Sequence, residues 1–250
     1  QSLGILENFD LSQYPPTNVD NDGGRPQTMA VHLVSEAQRL AYADRDKYVA
    51  DTDYQPLPGN GVPTMVDRDY LRGRAGLINL ATSMHTAQPG NLGPIPAGIM
   101  PPSPENGTTH MTIVDRDGNV VSMTTTVESG FGSYHMARGF MLNNQLTDFS
   151  AAPTDASGLP IANRVQSGKR PRSSMAPTLV FSKAADGSRG DFVMATGSPG
   201  GSAIIQYVTK TLVSALDWNF DAQQASAMVN FGASNSPTTS IGGEHPKIDA

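Results

Sequence analysis

The spacing of apolar residues changes along the chain and separates helical from extended segments. An amphipathic helix is predicted from Thr28 to about Val49 because apolar residues recur at helical intervals, at Ala30, Leu33, Val34, Ala37, Leu40 and Ala41. A shorter helix is predicted from about Val66 to Leu80. Residues 1–27 and the run from Pro94 to Asn106 are predicted as loops, since both are rich in turn-forming residues.

After this run the period becomes that of β-strands. Thr108–Asp115 and Asn119–Val127 are predicted to form a hairpin. Shorter strands are predicted at Phe140–Asn143, Thr178–Phe181 and Asp191–Ala195, and helices are predicted to begin near Ser202 and at Asp221. Predicted helices precede and follow the predicted antiparallel strands in the sequence. This order indicates an α+β protein in which layers of helix cover the sheet.

The hairpin has two possible registers. A two-residue loop, Asp117-Gly118, places Thr109 opposite Thr126. A three-residue loop that also includes Arg116 places Thr108 opposite Thr126 and uses Gly118 in the left-handed conformation, which glycine adopts without steric cost. We favour the second register, which brings two threonine hydroxyls together on one face of the sheet, although threonine is common in strands for other reasons.

Composition excludes several classes of function. The chain has 250 residues, 38% of them hydrophobic, which is enough for one large domain or two small ones. A net charge of −6 without a basic stripe argues against a nucleic-acid partner. The absence of cysteine excludes a thiolate site, and the histidines show no metal-binding spacing, so neither a metal nor a cofactor is predicted. No apolar run has membrane-spanning length. Both ends read as cuts in a longer protein, so the sequence does not indicate a location.

A threonine that directly follows a proline-rich run suggests a particular chemistry. Cleavage of the chain before Thr108 would give this residue a free α-amine, which can act as the base for its own hydroxyl. Gly200 and Gly201 lie between a predicted strand and a predicted helix, where backbone N–H groups can stabilise developing negative charge. A phosphate-binding loop is the competing interpretation of these glycines, but the segment lacks the lysine of such a loop.

Several motifs together resemble those of the γ-glutamyltranspeptidases, and the resemblance spans nearly the whole chain. The motifs occur in the same order and at similar spacing as in that family: Thr108-Thr109-His110, the run 142–150 (LNNQLTDFS), the run 170–178 (RPRSSMAPT) and the run 197–202 (GSPGGS). The segments 5–10 and 41–45 are also similar to that family's large subunit.

The resemblance implies a fold and a division of the chain. The expected fold is the four-layer αββα sandwich of the N-terminal-nucleophile hydrolases, incomplete in this sequence. Residues 1–107 would be the end of a large subunit with its linker, and 108–250 most of a small catalytic subunit. Self-cleavage between Gly107 and Thr108 would convert an inactive precursor into a heterodimer. We also expect residues 1–250 expressed alone to be unstable or inactive, because the carboxylate-binding arginine of the family is absent from this sequence.

The resemblance also implies site residues and substrates. Thr108 would be the nucleophile and Thr126 would orient it, with Gly200 and Gly201 as the oxyanion hole. Gln145 and Asp148 would hold the α-ammonium group of a γ-glutamyl substrate, and its α-carboxylate would be bound by Ser173 and Ser174. The acyl group would pass to water or to an acceptor amine. A periplasmic or secreted location would follow from the family. Arg170 and Arg172 are interpreted as solvated charges.

One position departs from the family pattern. The usual asparagine two residues after the second threonine is Glu128, and an ionised carboxylate only accepts hydrogen bonds. Near Asp148 it could strengthen ammonium binding or raise the pKa of one carboxyl group. A glutaryl group lacks the α-amino group, so an extra carboxylate would be a poor choice in its binding site. We therefore interpret the substrate as γ-glutamyl. The alternatives are a glutaryl or cephalosporin side-chain acylase and a relative without catalytic activity.

Overall fold

A computed structural model describes residues 1–95, 97–101 and 107–242. The helices are α1 (Ser2–Leu6), α2 (Thr28–Tyr48), α3 (Val62–Met65), α4 (Arg68–Ala75), α5 (Ile204–Leu216) and α6 (Ala222–Ala227). The strands are β1 (Thr17–Asp20), β2 (Gly23–Arg25), β3 (Thr109–Val114), β4 (Val120–Thr125), β5 (Met136–Ala137), β6 (Phe140–Met141), β7 (Thr178–Lys183), β8 (Arg189–Thr196), β9 (Phe231–Gly232) and β10 (Ser240–Ile241). Short 3₁₀ helices cover Leu11–Gln13, Gln145–Asp148 and Gly201–Ala203.

The chain divides into two compact units. The first contains 1–103, 146–172 and 209–250, and the second contains 104–145 and 173–208. Helix α2 is central to the first unit, and its apolar residues pack in one core with residues of α1, α4, the end of α5 and β9. Burial of this apolar surface is the main favourable contribution to the stability of the unit.

Helix α2 buries charged side chains as well as apolar ones. Glu36 is fully buried and pairs with Arg39 at 2.6 Å, while Asp44 pairs with Arg74 of α4 at 3.3 Å. Buried charges are tolerated where they are paired and hydrogen-bonded. The predicted span of this helix is confirmed, but its polar residues are largely enclosed rather than exposed.

The second predicted helix and the first segment differ from expectation. The helix predicted from about Val66 to Leu80 begins within two residues of α4, which follows Asp67, whose carboxylate accepts from the N–H of Tyr70, but its predicted end is wrong because α4 ends at Ala75. Residues 1–27, predicted as loops, contain helix α1 and the β1–β2 hairpin. Elements this short carry too few residues for a periodic pattern to be recognised.

The proline-rich run is only partly described. Its residues Pro96 and 102–106 lie outside the described residues. Ala97 and Met100 are buried, at 4% and 2% exposure, and Gly98 forms a β-bridge with Ile161. The described part of the run is a loop, as predicted, but its buried apolar side chains anchor it to the first unit.

The second unit is built on the hairpins β3–β4 and β7–β8. Strands β3 and β4 pair with Thr109 opposite Thr125, and Asp115 bonds to Asn119 across a loop with Gly118 at a φ of +83°. The three-residue loop, and with it the register that aligns Thr108 with Thr126, is confirmed. The Ser122 hydroxyl donates to the carbonyl oxygen of Thr196 at 3.1 Å and thus joins β4 to the end of β8.

The β3–β4 hairpin has a polar face that is mostly half-buried and an apolar face that is exposed. Thr108, His110, Ser122, Thr124 and Thr126 are half-buried. The opposite face carries exposed apolar side chains, at Met111, Ile113, Val121 and Met123. Antiparallel sheets more often place the apolar face inward, whereas in this hairpin the less exposed face is the polar one.

No helix among the described residues combines the length and the apolar character needed to cross a bilayer.

Candidate active site

The junction between Gly107 and Thr108 gathers two hydroxyl groups on one carbonyl. The Thr126 hydroxyl donates to the carbonyl oxygen of Gly107 at 2.8 Å. The Thr108 hydroxyl donates to the same oxygen, so the side chain of Thr108 is next to the peptide bond that precedes it. Two donors on one carbonyl oxygen withdraw electron density from its carbon, which makes the carbon more open to attack by a nucleophile.

Glycine is required at position 107 by its surroundings. Its φ is +68°, in the left-handed region that residues with a side chain rarely adopt. A Cβ atom added there would lie 1.8 Å from the carbonyl oxygen of Glu128. Glu128 is itself left-handed, at φ +72°, and its N–H donates to the Thr126 hydroxyl at 2.7 Å. The backbone of Glu128 therefore packs directly against the junction.

The side chain of Glu128 forms a buried polar cluster with two neighbours. It is 5% exposed, and its Oε2 accepts from the Ser129 hydroxyl at 2.7 Å and from the side-chain amide of Asn144. The Asn144 Oδ1 in turn accepts from the N–H of Ser129 at 3.0 Å. This cluster ties the end of β4 to the residue that precedes Gln145. The structure thus places the carboxylate of Glu128 in internal hydrogen bonds.

Gly200 and Gly201 begin the turn that leads into α5. Their φ values are +133° and +54°, and Gly201 starts the 3₁₀ helix that precedes α5. A Cβ atom on Gly200 would lie 2.6 Å from Cε2 of Tyr207. The positive φ values, and at Gly200 also this close contact, thus favour glycine at these two positions, and their proposed role as oxyanion donors stays a prediction.

The remaining predicted residues are divided between the two units. Gln145, Ser173 and Ser174 belong to the same unit as Thr108, with Ser173 exposed and Ser174 buried. The Ser173 hydroxyl accepts from the N–H of Met175 at 3.1 Å. Asp148 belongs to the first unit, where its carbonyl oxygen accepts from the Asn163 side chain at 2.8 Å. Binding roles for these residues stay predictions.

The interpretation of the two arginines as solvated charges is wrong for Arg172. Its side chain is 4% exposed and lies 3.0 Å from Oδ1 of Asp46. Arg170 is mostly exposed but pairs with Asp51 and Asp53, each at 2.6 Å. Its hydrogen bonds to Asp51 hold the pKa of that carboxyl well below its usual range. Both arginines thus form ion pairs within the first unit. The spacing of charges in the sequence does not reveal these pairs.

Sequence reasoning assigned no role to His110, which lies two residues after Thr108 on the same face of β3. Its ring nitrogens are 2.9 Å from the Thr124 hydroxyl and 3.1 Å from the Thr112 hydroxyl. Burial lowers the pKa of His110, which favours the neutral ring. The alternation of strand residues could have placed it beside Thr108. Within the residues that the structure describes, no group of three or more acidic, histidine or cysteine side chains could hold a metal ion.

Comparison with known proteins identifies relatives of this chain. The family model described as gamma-glutamyltranspeptidase matches residues 1–247. The chain is 35% identical to a glutathione hydrolase proenzyme of Escherichia coli strain K12 over 241 residues, which are 92% of this chain and 37% of that protein. It is 31% identical to the acylase ACY 1 proenzyme of Pseudomonas sp. strain SE83, over 90% of this chain and 35% of that protein.

A solved structure shows the fold. The cephalosporin acylase from Bacillus halodurans superimposes with a TM-score of 0.71 over 98% of this chain and 38% of its own, at 20% identity. The predicted fold class, that of the N-terminal-nucleophile hydrolases, is thereby confirmed, and the chain holds part of it. The chain spans little more than a third of the length of these relatives. On the match over residues 1–247, it belongs to the γ-glutamyltranspeptidase family.

Proposed function

We propose that this chain is part of an enzyme that transfers or hydrolyses γ-glutamyl groups of glutathione-like compounds, and that it is activated by self-cleavage between Gly107 and Thr108. The observation that carries the proposal is the pair of hydroxyl groups, from Thr108 and Thr126, on the carbonyl oxygen of Gly107. The arrangement has the two parts that such a cleavage needs, a nucleophile beside the carbonyl and a donor for its oxygen.

Self-cleavage begins at the Gly107 carbonyl. The Thr108 oxygen forms a bond to the carbonyl carbon, and negative charge develops on the carbonyl oxygen, which the Thr126 hydroxyl stabilises. The C–N bond then breaks, the nitrogen takes up a proton in place of the one that the Thr108 hydroxyl loses, and Gly107 is held as an ester on Thr108. Water hydrolyses this ester, which leaves a carboxylate on Gly107 and a free α-amine on Thr108. Residues 1–107 and 108–250 then belong to separate polypeptides of a heterodimer.

Turnover reuses the same threonine. The α-amine of Thr108, with a reference pKa of about 8, accepts the proton of the hydroxyl as this attacks the γ-carbonyl of the substrate. Gly200 and Gly201 donate backbone N–H groups to the oxyanion, and the amine of the substrate leaves with the proton that the α-ammonium group of Thr108 returns to its nitrogen. The γ-glutamyl ester on Thr108 is then transferred to water or to an acceptor amine. No cofactor takes part in these steps.

Recognition of the substrate is assigned to the polar residues that the family resemblance indicates. Gln145 and Asp148 hold the α-ammonium group, and Ser173 and Ser174 hold the α-carboxylate. Glu128 contributes negative charge, although its carboxylate is already engaged by Ser129 and Asn144. Its main effect is therefore on the local potential and on the position of the segment before Gln145.

The acyl group distinguishes this function from the second candidate, a glutaryl side-chain acylase. The similarity to an acylase proenzyme supports that candidate. The buried carboxylate of Glu128 disfavours it, because the carboxylate of a glutaryl group has no neighbouring ammonium group to offset the repulsion. We expect γ-glutamyl-p-nitroanilide to be hydrolysed with a higher kcat/KM than glutaryl-p-nitroanilide. The Glu128→Gln variant should narrow this preference, and a wild-type preference for the glutaryl compound would favour the acylase.

The proposed function as a whole is tested on the purified full-length protein. Mass spectrometry should find a polypeptide that begins at Thr108, together with hydrolysis of γ-glutamyl-p-nitroanilide. A protein that remains uncut and inactive would be a relative without catalytic activity.

Replacement of Thr126 tests the donor to the scissile carbonyl. The Thr126→Val variant is expected to cleave itself about 10²–10³-fold more slowly, the usual effect of losing one oxyanion donor. Thr126→Ser should retain most of the rate because it keeps the hydroxyl. A time course of precursor loss on denaturing gels measures the effect. Thr125→Val is the matched control, since Thr125 is exposed on the opposite face; equal rates for both valine variants would contradict the assignment.

A further inference from the structure

His110 is held on three sides within the second unit. Two of its contacts come from the hairpin, where the ring nitrogens meet the hydroxyls of Thr124 on β4 and Thr112 on β3 at 2.9 Å and 3.1 Å. A hydroxyl can donate or accept, so both nitrogens are satisfied in either neutral tautomer. The ring is therefore fixed in orientation by the strands that follow Thr108.

The third side of the ring is covered by Gly197. A Cβ atom added to Gly197 would lie 2.1 Å from Cε1 of His110, 2.3 Å from Nδ1 and 2.5 Å from Nε2. The imidazole therefore occupies the space that any side chain at position 197 would need. Since Gly197 is absent from the residues with positive φ, this space, and not the backbone conformation, excludes larger residues.

Gly197 is the first residue of the turn that leads from β8 to Gly200 and Gly201. The ring thus connects the strand that carries the nucleophile to the turn that carries the proposed oxyanion donors. The Ser122 hydroxyl supports the same connection, because it bonds to the carbonyl oxygen of Thr196 at 3.1 Å. Burial lowers the pKa of His110, which agrees with a neutral ring packed against backbone.

We propose that His110 is a positioning residue that sets the location of the 197–201 turn relative to Thr108 by packing its imidazole ring against Gly197. The inference rests on the proposed function, because it concerns the spacing of the nucleophile and the oxyanion donors. His110 itself does not touch substrate. Reactions of this kind are sensitive to such spacing, and a displacement of about 1 Å can cost about 100-fold in rate.

The test uses the full-length protein with Gly197→Ala, His110→Ala and the double variant. Gly197→Ala should lower kcat for γ-glutamyl-p-nitroanilide by about 10–100-fold, since the new methyl group displaces the turn, while KM should change less than about threefold. The double variant should be at least as active as Gly197→Ala, because removal of the ring makes room for the methyl group. If His110→Ala does not fold, His110→Asn, whose side chain is shorter than that of histidine, replaces it in the single and the double variant.

The outcomes separate this inference from the proposed function. His135→Ala is the matched control, since His135 is an exposed histidine of the same unit, and it should leave kcat unchanged. A Gly197→Ala variant with wild-type kcat would overturn the inference, and so would a double variant in which the two single losses of kcat multiply. In both cases an active wild-type protein would still uphold the proposed function. A wild-type protein that neither cleaves itself nor acts on the substrate would overturn both.

Discussion

Replacement of Thr108 with alanine is expected to leave a single uncut polypeptide without γ-glutamyl hydrolase activity. The variant lacks the hydroxyl that attacks the Gly107 carbonyl, and without cleavage no α-amine is released to act as a base. Loss of turnover should be on the order of 10⁶-fold, the scale on which a hydrolase responds to removal of its nucleophile. Intact-mass analysis of the full-length protein and an assay with γ-glutamyl-p-nitroanilide measure the two effects.

The chain offers controls on either side of this prediction. Thr108→Ser keeps a hydroxyl beside the same carbonyl and should still cleave itself. Thr109→Ala should process normally because Thr109 is exposed and points to the other face of β3. If the Thr108→Ala variant still cleaved itself between residues 107 and 108, or if Thr109→Ala were the inactive variant, the nucleophile would have to be reassigned.

Replacement of Gly107 with alanine is expected to block self-cleavage even though both reacting groups remain. The added methyl group would lie 1.8 Å from the carbonyl oxygen of Glu128, so the junction must move away from Thr126. The left-handed conformation of Gly107 adds about 1–2 kcal/mol for a residue with a Cβ atom. Denaturing gels of the purified protein should show the precursor alone.

A second glycine separates the two causes. Gly118 has a similar φ, +83°, but a Cβ atom there would meet no other atom within 4 Å. Gly118→Ala should therefore incur the conformational cost without the collision, and it should still cleave itself. Equal processing of the two variants would show that the close approach to Glu128 has no part in aligning the junction.

The fold prediction succeeded where a long periodic segment was available. Helix α2 and the β3–β4 hairpin were predicted within one or two residues, because their patterns repeat often enough to be unambiguous. Asp221 was predicted as a helix N-cap, and the structure has the complete capping box with Gln224. The register of β3 and β4 followed from the conformational freedom of Gly118, which is a property of one residue and its neighbours.

The prediction failed where distant segments determine the outcome. Ala97 and Met100 lie in a run whose composition indicates a loop, yet they are anchored by burial in the first unit. Arg172 was interpreted as exposed and instead pairs with Asp46, more than a hundred positions away. Neither composition nor spacing encodes such contacts, because they form between segments that are far apart in the sequence.

The candidate site shows the same division. Local sequence determined that Thr108 stands opposite Thr126, since strand alternation and loop length are short-range properties, whereas the proposed roles of the site residues rest on the family resemblance. Only the tertiary structure decided that the polar face of the hairpin is mostly half-buried, that Glu128 binds Ser129 and Asn144, and that His110 packs against Gly197. These features arise from the packing of side chains between separate segments, which no pattern along a single strand specifies.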